Sequence, residues 1–280
     1  MVRFIIFAGY ALLMMSLQIS GKLNQYINVH YRYLAVLSMA LSLILAVFQL
    51  FLWMNNDKDE EQEHTHREGH HHHKQKPIQQ LSAYILLALP LIVGFAFPTV
   101  SLDTTIVEAK GFQFPLSKES TGDPDVQTQY LKPDTSIFFE KSDYEQQMKD
   151  LMSEYEDKEV LTITDENYLE VMELIYNYPS DFLGKTVSFK GFVFHSKDDT
   201  AANAFVFRFG IIHCVADAGV FGLLTQLPQD VSFNNNDWVE IKGTITTDYY
   251  HPFKRTLPIV TVSTATKIAP PKNEYVYRTF

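Results

Sequence analysis

Three stretches without a charged side chain occupy most of the first hundred residues: FIIFAGYALLMMSLQI (Phe4–Ile19), YLAVLSMALSLILAVFQLFLWM (Tyr33–Met54) and LSAYILLALPLIVGFAFPTV (Leu81–Val100). A helix needs about 20 apolar residues to cross a hydrocarbon core of ~30 Å. The second and third meet that length, and the first reaches it with Ser20 and Gly21. A cleaved signal peptide is the rival reading of the first. Its single basic flank, Arg3, and the lack of a small-x-small cleavage site favour retention. Trp53 at one end of the second stretch, and Tyr31 and Tyr33 at the other, fit interfacial aromatic belts. Pro90 predicts a kink in the third and Pro98 helps to end it. The expectation is three transmembrane helices, at about 4–21, 33–54 and 81–100, within a membrane domain of residues 1–102.

Between the second and third stretches, residues 55–77 are almost devoid of apolar side chains and cannot bury a core, so disorder is expected. Within them lie six histidines, His64, His66, His70, His71, His72 and His73. Unperturbed imidazoles are mostly neutral near pH 7 and free to take zinc, nickel or copper. A solvated spacer is the plainer reading, and the run alone does not choose between them. Basic residues near the span ends give the sidedness. With the N-terminus inside, Arg3, Lys58, Arg67, Lys74 and Lys76 face the cytoplasm, and Lys22, Arg32, Lys110 and Lys118 face out. That balance puts the histidine loop in the cytoplasm and the C-terminal part outside.

No Asp, Glu, Lys, Arg or His falls inside the three stretches. Solute pathways through a bilayer use ionisable or strongly polar groups at mid-depth, so the chain is expected to move nothing alone. It has a means of docking instead. Ser38, Ser42 and Ala46 form a small-xxx-small stripe that lets another helix approach closely, although small residues are common in membrane helices anyway.

Most of the charged residues lie after residue 100, and the net value of −10 repels nucleic acid. One cysteine, Cys214, excludes an internal disulfide, a Cys-rich zinc finger and a CxxC pair. Residues 103–183 read as an acidic linker with two short helices. The first carries a capping box, Ser142 to Glu145, and a face of Tyr144, Met148, Leu151, Met152 and Tyr155. The second starts near Thr164, stacks Tyr168, Met172 and Ile175 or Tyr176, and stops before Pro179.

From Lys185 the period changes to two. KTVSFKGFVFH, AFVFRFGIIHC, GVFGLLTQL, DWVEIKGTITT and LPIVTVSTATKI read as five strands. Gly191 and Gly243 lie in mid-strand, where a small barrel needs a bulge or a sharp coil. Five strands in residues 184–280 fit an OB-like barrel better than a sandwich. The helix usual between the third and fourth strands has little room in PQDVSFNNND. The fold class expected is therefore an α+β membrane protein: three N-terminal transmembrane helices, an acidic helical linker and a C-terminal five-stranded OB-like β-barrel.

RFGIIHCVADAG, Arg208–Gly219, is the chemically dense segment. His213, Cys214 and Asp217 are all possible zinc or copper ligands, and His195 and His251 are near enough in topology to complete a set. Residues 213 and 214 point to opposite faces of a regular strand, so a shared ion requires the strand to break there. The alternative makes Cys214 a buried small hydrophobe, His213 a surface residue and Asp217 a turn former. No nucleophile–base–orienter set, phosphate loop or spaced carboxylate pair is present, so an enzyme is not expected.

With GKTVSFKGFVF before it and NDWVEIKGTI after it, that segment resembles an uncharacterised bacterial membrane family typified by the Bacillus protein YcgQ, and the resemblance runs the full length. It implies a permease subunit acting beside a larger multi-span permease of predicted organoarsenical-efflux type, and so a link to metal or metalloid transport. Many relatives carry two adjacent cysteines ahead of Ala-Asp-Ala. Here His213 takes the first of those positions, leaving Cys214, Ala216, Asp217 and Ala218, with Arg208 upstream as a further motif residue. Three functions stay open: a non-catalytic accessory permease subunit, a free-standing metal-binding or metal-sensing membrane protein, and an anchored extracytoplasmic OB-like ligand-binding module.

Overall fold

The computed structural model describes residues 1–59, 77–97, 102, 104, 140–196, 203–251 and 255–279. The chain divides into two compact units, Met1–Val100 and Ser101–Phe280. The six histidines of the 64–73 run lie outside the described residues.

The first unit holds α1 (Val2–Ile19), α2 (Arg32–Asp59) and α3 (Pro77–Ala96). Each is long and apolar enough to cross a membrane. Two boundaries differ from expectation. Helix α2 continues to Asp59 and α3 opens at Pro77, so both extend into the stretch read as a loop. A helix once nucleated propagates cheaply through polar residues. Proline suits a first helical turn, where its missing N–H has no partner to lose. Pro90 lies inside α3 without ending it.

Helix α1 packs along both α2 and α3. Against α3 the fit is leucine into glycine. A Cβ on Gly9 would stand 2.8 Å from Leu91 Cδ1, and one on Gly94 would stand 2.9 Å from Leu13 Cδ1. Arg3 Nε donates to Tyr84 Oη at 3.2 Å, and Tyr10 Oη donates to the Leu87 carbonyl at 2.8 Å. These contacts advance together along both helices, so α1 and α3 run parallel. The small-residue stripe of α2 divides: Ala46 is only 2% exposed, while Ser38 is exposed and Ser42 half-buried.

The second unit is built on α4 (Lys141–Tyr155), β1 (Val160–Thr162), α5 (Tyr168–Asn177), α6 (Pro179–Phe182), β2 (Thr186–Phe194), β3 (Asn203–Ile211), β4 (Gly219–Gln226), β5 (Trp238–Tyr250), β6 (Arg255–Ile268) and β7 (Tyr275–Tyr277). Strands β2, β5, β6, β4 and β3 are neighbours in that order, and β2 also pairs with β3, which closes a five-stranded barrel. The β4–β6 contact is parallel and the other four are antiparallel. Short β1 and β7 extend the sheet through parallel pairing with β2 and β3. The alternating apolar residues explain the interior: Val187, Phe189, Phe205, Phe207, Val239, Ile241 and Ile245 are all at most 1% exposed.

Both mid-strand glycines have structural reasons. A Cβ on Gly191 would lie 2.5 Å from the Phe207 carbonyl oxygen, beside the residue pairs that close β2 onto β3. At Gly243 the β5–β6 register shifts, leaving Ser263 as an extra residue opposite Lys242 and Gly243. That is the bulge a tightly coiled strand pair requires. No helix occupies the 227–237 connection.

What the charge pattern reads as a linker contributes to the packed unit. Every residue from Tyr168 to Tyr176 in α5 is buried, and the helix packs on β4, β6 and β7. Strands β3 and β4 are consequently buried on both faces. The capping box does not form. Helix α4 begins at Lys141 with Glu140 at its N-cap, no side chain caps it, and Ser142 Oγ turns to Asp143 at 3.4 Å. The second helix begins at Tyr168, because Asn167 Oδ1 accepts from the Thr164 amide at 2.7 Å and holds 164–167 in a turn. Buried Lys185 sends Nζ to the carbonyls of Tyr155 and Glu156, where a cation suits the C-terminal end of α4.

Candidate functional site

Arg208 is the most unusual side chain of the barrel. It sits in mid-β3 and is 1% exposed. Its guanidinium forms an ion pair with Asp165 and donates to the carbonyls of Asn273 (2.8 Å) and Tyr275 (3.3 Å). It also lies over the rings of Tyr168 (5.7 Å) and Trp238 (5.6 Å). One residue thereby ties β3 to the turn before α5, to the start of β5 and to the segment entering β7. Its Nε has no hydrogen-bond partner among the described residues. Asp165, by contrast, is 56% exposed, so a buried cation is neutralised by a carboxylate at the surface.

The unit has two clefts of about 340 Å³ each, and Arg208 lines the first. The first is polar. Thr162, Thr164, Ser188, Glu166 and Lys190 line it beside Arg208 and Tyr168. Lys190 pairs with Glu240 at 3.8 Å. The Thr164 hydroxyl holds the Glu166 carboxyl below its ordinary range, and burial pushes the Tyr168 phenol up. The second cleft opens at the end of the barrel where Phe192 of β2 pairs with Trp238 of β5. Phe192 stacks on Phe209 with centroids 5.3 Å apart and meets Trp238 edge-on at 6.1 Å. Asn236, at a φ of 69° in the turn before β5, and Glu274, ahead of β7, supply its polar groups. Leu102 closes one side, its amide donating to Tyr275 Oη at 2.8 Å.

The His213–Cys214–Asp217 segment has a different role. Strand β3 stops at Ile211, so the break needed for a shared ion exists, but Asp217 uses it to shape the turn. Its carboxylate accepts from the amides of Ile212 (3.2 Å), His213 (2.9 Å) and Cys214 (3.1 Å), and His213 Nδ1 lies 2.9 Å away. Cys214 caps the 3₁₀ turn Val215–Asp217 that carries Ala216, and Ala218 follows it. The turn-former reading of Asp217 is thus the one the geometry realises. His195 contacts the Phe233 carbonyl through Nε2 at 2.9 Å, and His251 packs edge-on against Tyr249. Among the described residues no three His, Cys, Asp or Glu side chains group so as to hold a metal ion.

Sequence reasoning missed a second polar cluster. Arg278, 1% exposed, pairs with fully buried Glu173. Glu173 also accepts from Tyr144 Oη at 2.8 Å. Next to it, Glu170 Oε1 accepts from the amide (2.8 Å) and hydroxyl (2.6 Å) of Thr279, while Oε2 is buried and has no hydrogen-bond partner among the described residues. Burial raises the Glu170 carboxyl above its ordinary value, against the lowering effect of the Thr279 bonds. The available signal was two glutamates at helical spacing from apolar residues of α5, Glu170 four before Leu174 and Glu173 four after Leu169.

Three membrane-competent helices followed by a closed five-stranded barrel, with buried ion pairs binding its outer layer, define a membrane-associated helix-plus-barrel protein. The chain belongs to the DUF1980 family: the DUF1980 N-terminal domain matches residues 2–113 and the DUF1980 C-terminal domain matches residues 138–278. It is 45% identical over 284 residues to a Streptococcus mutans protein named "Putative two-component membrane permease complex subunit", covering 100% of both chains. It is 41% identical over 287 residues to the UPF0703 protein YcgQ of Bacillus subtilis, again covering 100% of both chains. No solved structure matches it significantly.

Proposed function

We propose that this chain is a non-catalytic accessory subunit of a membrane permease. In this reading α1–α3 cross the bilayer, with the N-terminus and the histidine loop in the cytoplasm and the barrel unit outside. The observation that carries it is the absence of Asp, Glu, Lys, Arg and His from all three apolar stretches. Such helices anchor and associate, yet provide no polar route for a solute. The permease-complex name of the full-length Streptococcus mutans relative supports the same role. The barrel is read as OB-type. The support is its strand order and the parallel contact of its third and fifth strands, β4 and β6.

The partner in this proposal is a multi-span permease, of organoarsenical-efflux type by family resemblance, and its cargo a metal or metalloid. The chain carrying an N-terminal affinity tag, purified in mild detergent, is expected to bring down a multi-span protein at fixed stoichiometry. Reconstituted alone in liposomes, it is expected to move no ion or small molecule. Transport by the isolated chain overturns the accessory role. Deleting residues 64–73 tests the cargo separately: unchanged zinc, copper and nickel tolerance removes the metal reading and leaves the subunit reading intact.

A further inference from the structure

We infer that the aromatic cleft at the end of the barrel is a binding site for a small organic cation of the methylated-ammonium class. Phe192, Phe209 and Trp238 are 4%, 6% and 7% exposed, so little of each ring reaches solvent. All three line one cleft of about 340 Å³, within the ~300–1,000 Å³ range of small-molecule sites. Glu274 stands at the same cleft, and it forms no ion pair among the described residues. Of the cations near it, Arg208 pairs with Asp165 and Lys267 with Asp237 at 2.6 Å, while Lys272, two residues from Glu274 in sequence, is exposed. The cleft therefore sets a carboxylate with no ion pair among the described residues beside aromatic rings, one of which, Trp238, already has the Arg208 guanidinium 5.6 Å from its centroid; carboxylate and rings both attract positive charge.

The chemistry narrows the class further. A compact, strongly hydrated cation such as sodium or a primary ammonium loses much of its solvation on entering aromatic walls. A methylated ammonium spreads its charge over methyl groups that pack against rings, and sheds water easily. Asn236 adds a side-chain amide for a polar substituent on the ligand, although its Oδ1 already accepts from the Thr104 amide at 3.2 Å. A neutral sugar would stack on Trp238 but leave Glu274 unmatched. The inference is independent of the permease role, since it concerns the barrel alone.

The test uses the full chain in detergent micelles with Trp53→Phe, which leaves Trp238 as the sole tryptophan of the original two. Choline chloride and tetramethylammonium chloride are titrated against sodium chloride of equal ionic strength and against glucose. Emission from Trp238 is followed, and equilibrium dialysis with labelled choline is run in parallel. Saturable binding of the methylated cations is expected, without a matching response to sodium or glucose. Glu274→Gln is expected to weaken it about tenfold. Trp238→Leu, read by dialysis, is expected to abolish it, and Glu166→Gln in the other cleft to leave it unchanged. No saturation by about 100 mM in either measurement overturns the site. So does an equal response to glucose, or a Glu274→Gln variant, folded by circular dichroism, that binds choline as tightly as the parent.

Discussion

Asp217 shows how one carboxylate can resemble a metal ligand and serve as a backbone organiser. Its acceptor positions take three consecutive amides and the His213 ring, so its removal leaves donors without partners. Asp217→Ala is expected to destabilise the barrel by roughly 1–3 kcal/mol, seen as a lower thermal midpoint of Trp238 emission. Cys214→Ala is expected to change that midpoint little. Glu170 yields a pH prediction. Its folded value lies above its unfolded one, so its contribution favours folding below the unfolded carboxylate range. That contribution is lost as pH rises through the raised value. Glu170→Gln keeps an acceptor for Thr279 and removes the titration. Measured from pH 4 to 8, the variant's stability relative to the parent is expected to rise with pH; a flat difference contradicts the assignment. The turn role of Asp217 was legible as one of two readings of ADAG. The pairing of Glu170 with Thr279 and of Glu173 with Arg278 was not, because those partners lie more than a hundred residues away.

Strands and apolar helices announce themselves through period and length, which is why all five barrel strands were readable. Strands β1 and β7 have three residues each, too few to show a period, and exist because longer strands offer them edges. Helix α5 was readable as a helix and unreadable as an interior one, since its neighbourhood is acidic. Gly191→Ala is expected to cost about 1–3 kcal/mol, because its Cβ meets backbone rather than a side chain that can move. Far-UV circular dichroism on heating measures the loss. In the first unit, Gly94→Leu is expected to separate α1 from α3; a disulfide engineered between the two helices should form in the parent and fail in that variant. Arg278→Met leaves buried Glu173 without its counter-cation, at a cost of about 3–5 kcal/mol. Arg278→Met combined with Glu173→Met is expected to be the milder change in the same melting experiment.

In the proposed reading the first of the two units anchors the chain and the second recognises a ligand. If the charge count near the spans gives the sidedness, a reporter after Phe280 is active outside the cell and one inserted at Gly69 is active inside. Equal activity at both positions contradicts an odd number of crossings. Composition made this division legible, because the apolar weight ends near residue 100 and the acidic weight begins there. The aromatic cleft was not legible, since Phe192, Phe209, Trp238 and Glu274 come from four separate segments and read singly as core or surface.

The position of Arg278 and Thr279 beneath α5 has a consequence for biogenesis. All five barrel strands have been synthesised once Ile268 is added, yet the helix covering two of them still lacks the partners of its inward-facing acids. Maturation of this domain must therefore wait for Arg278 and Thr279. A nonsense mutation only a few triplets upstream is expected to send an otherwise complete barrel to proteolysis.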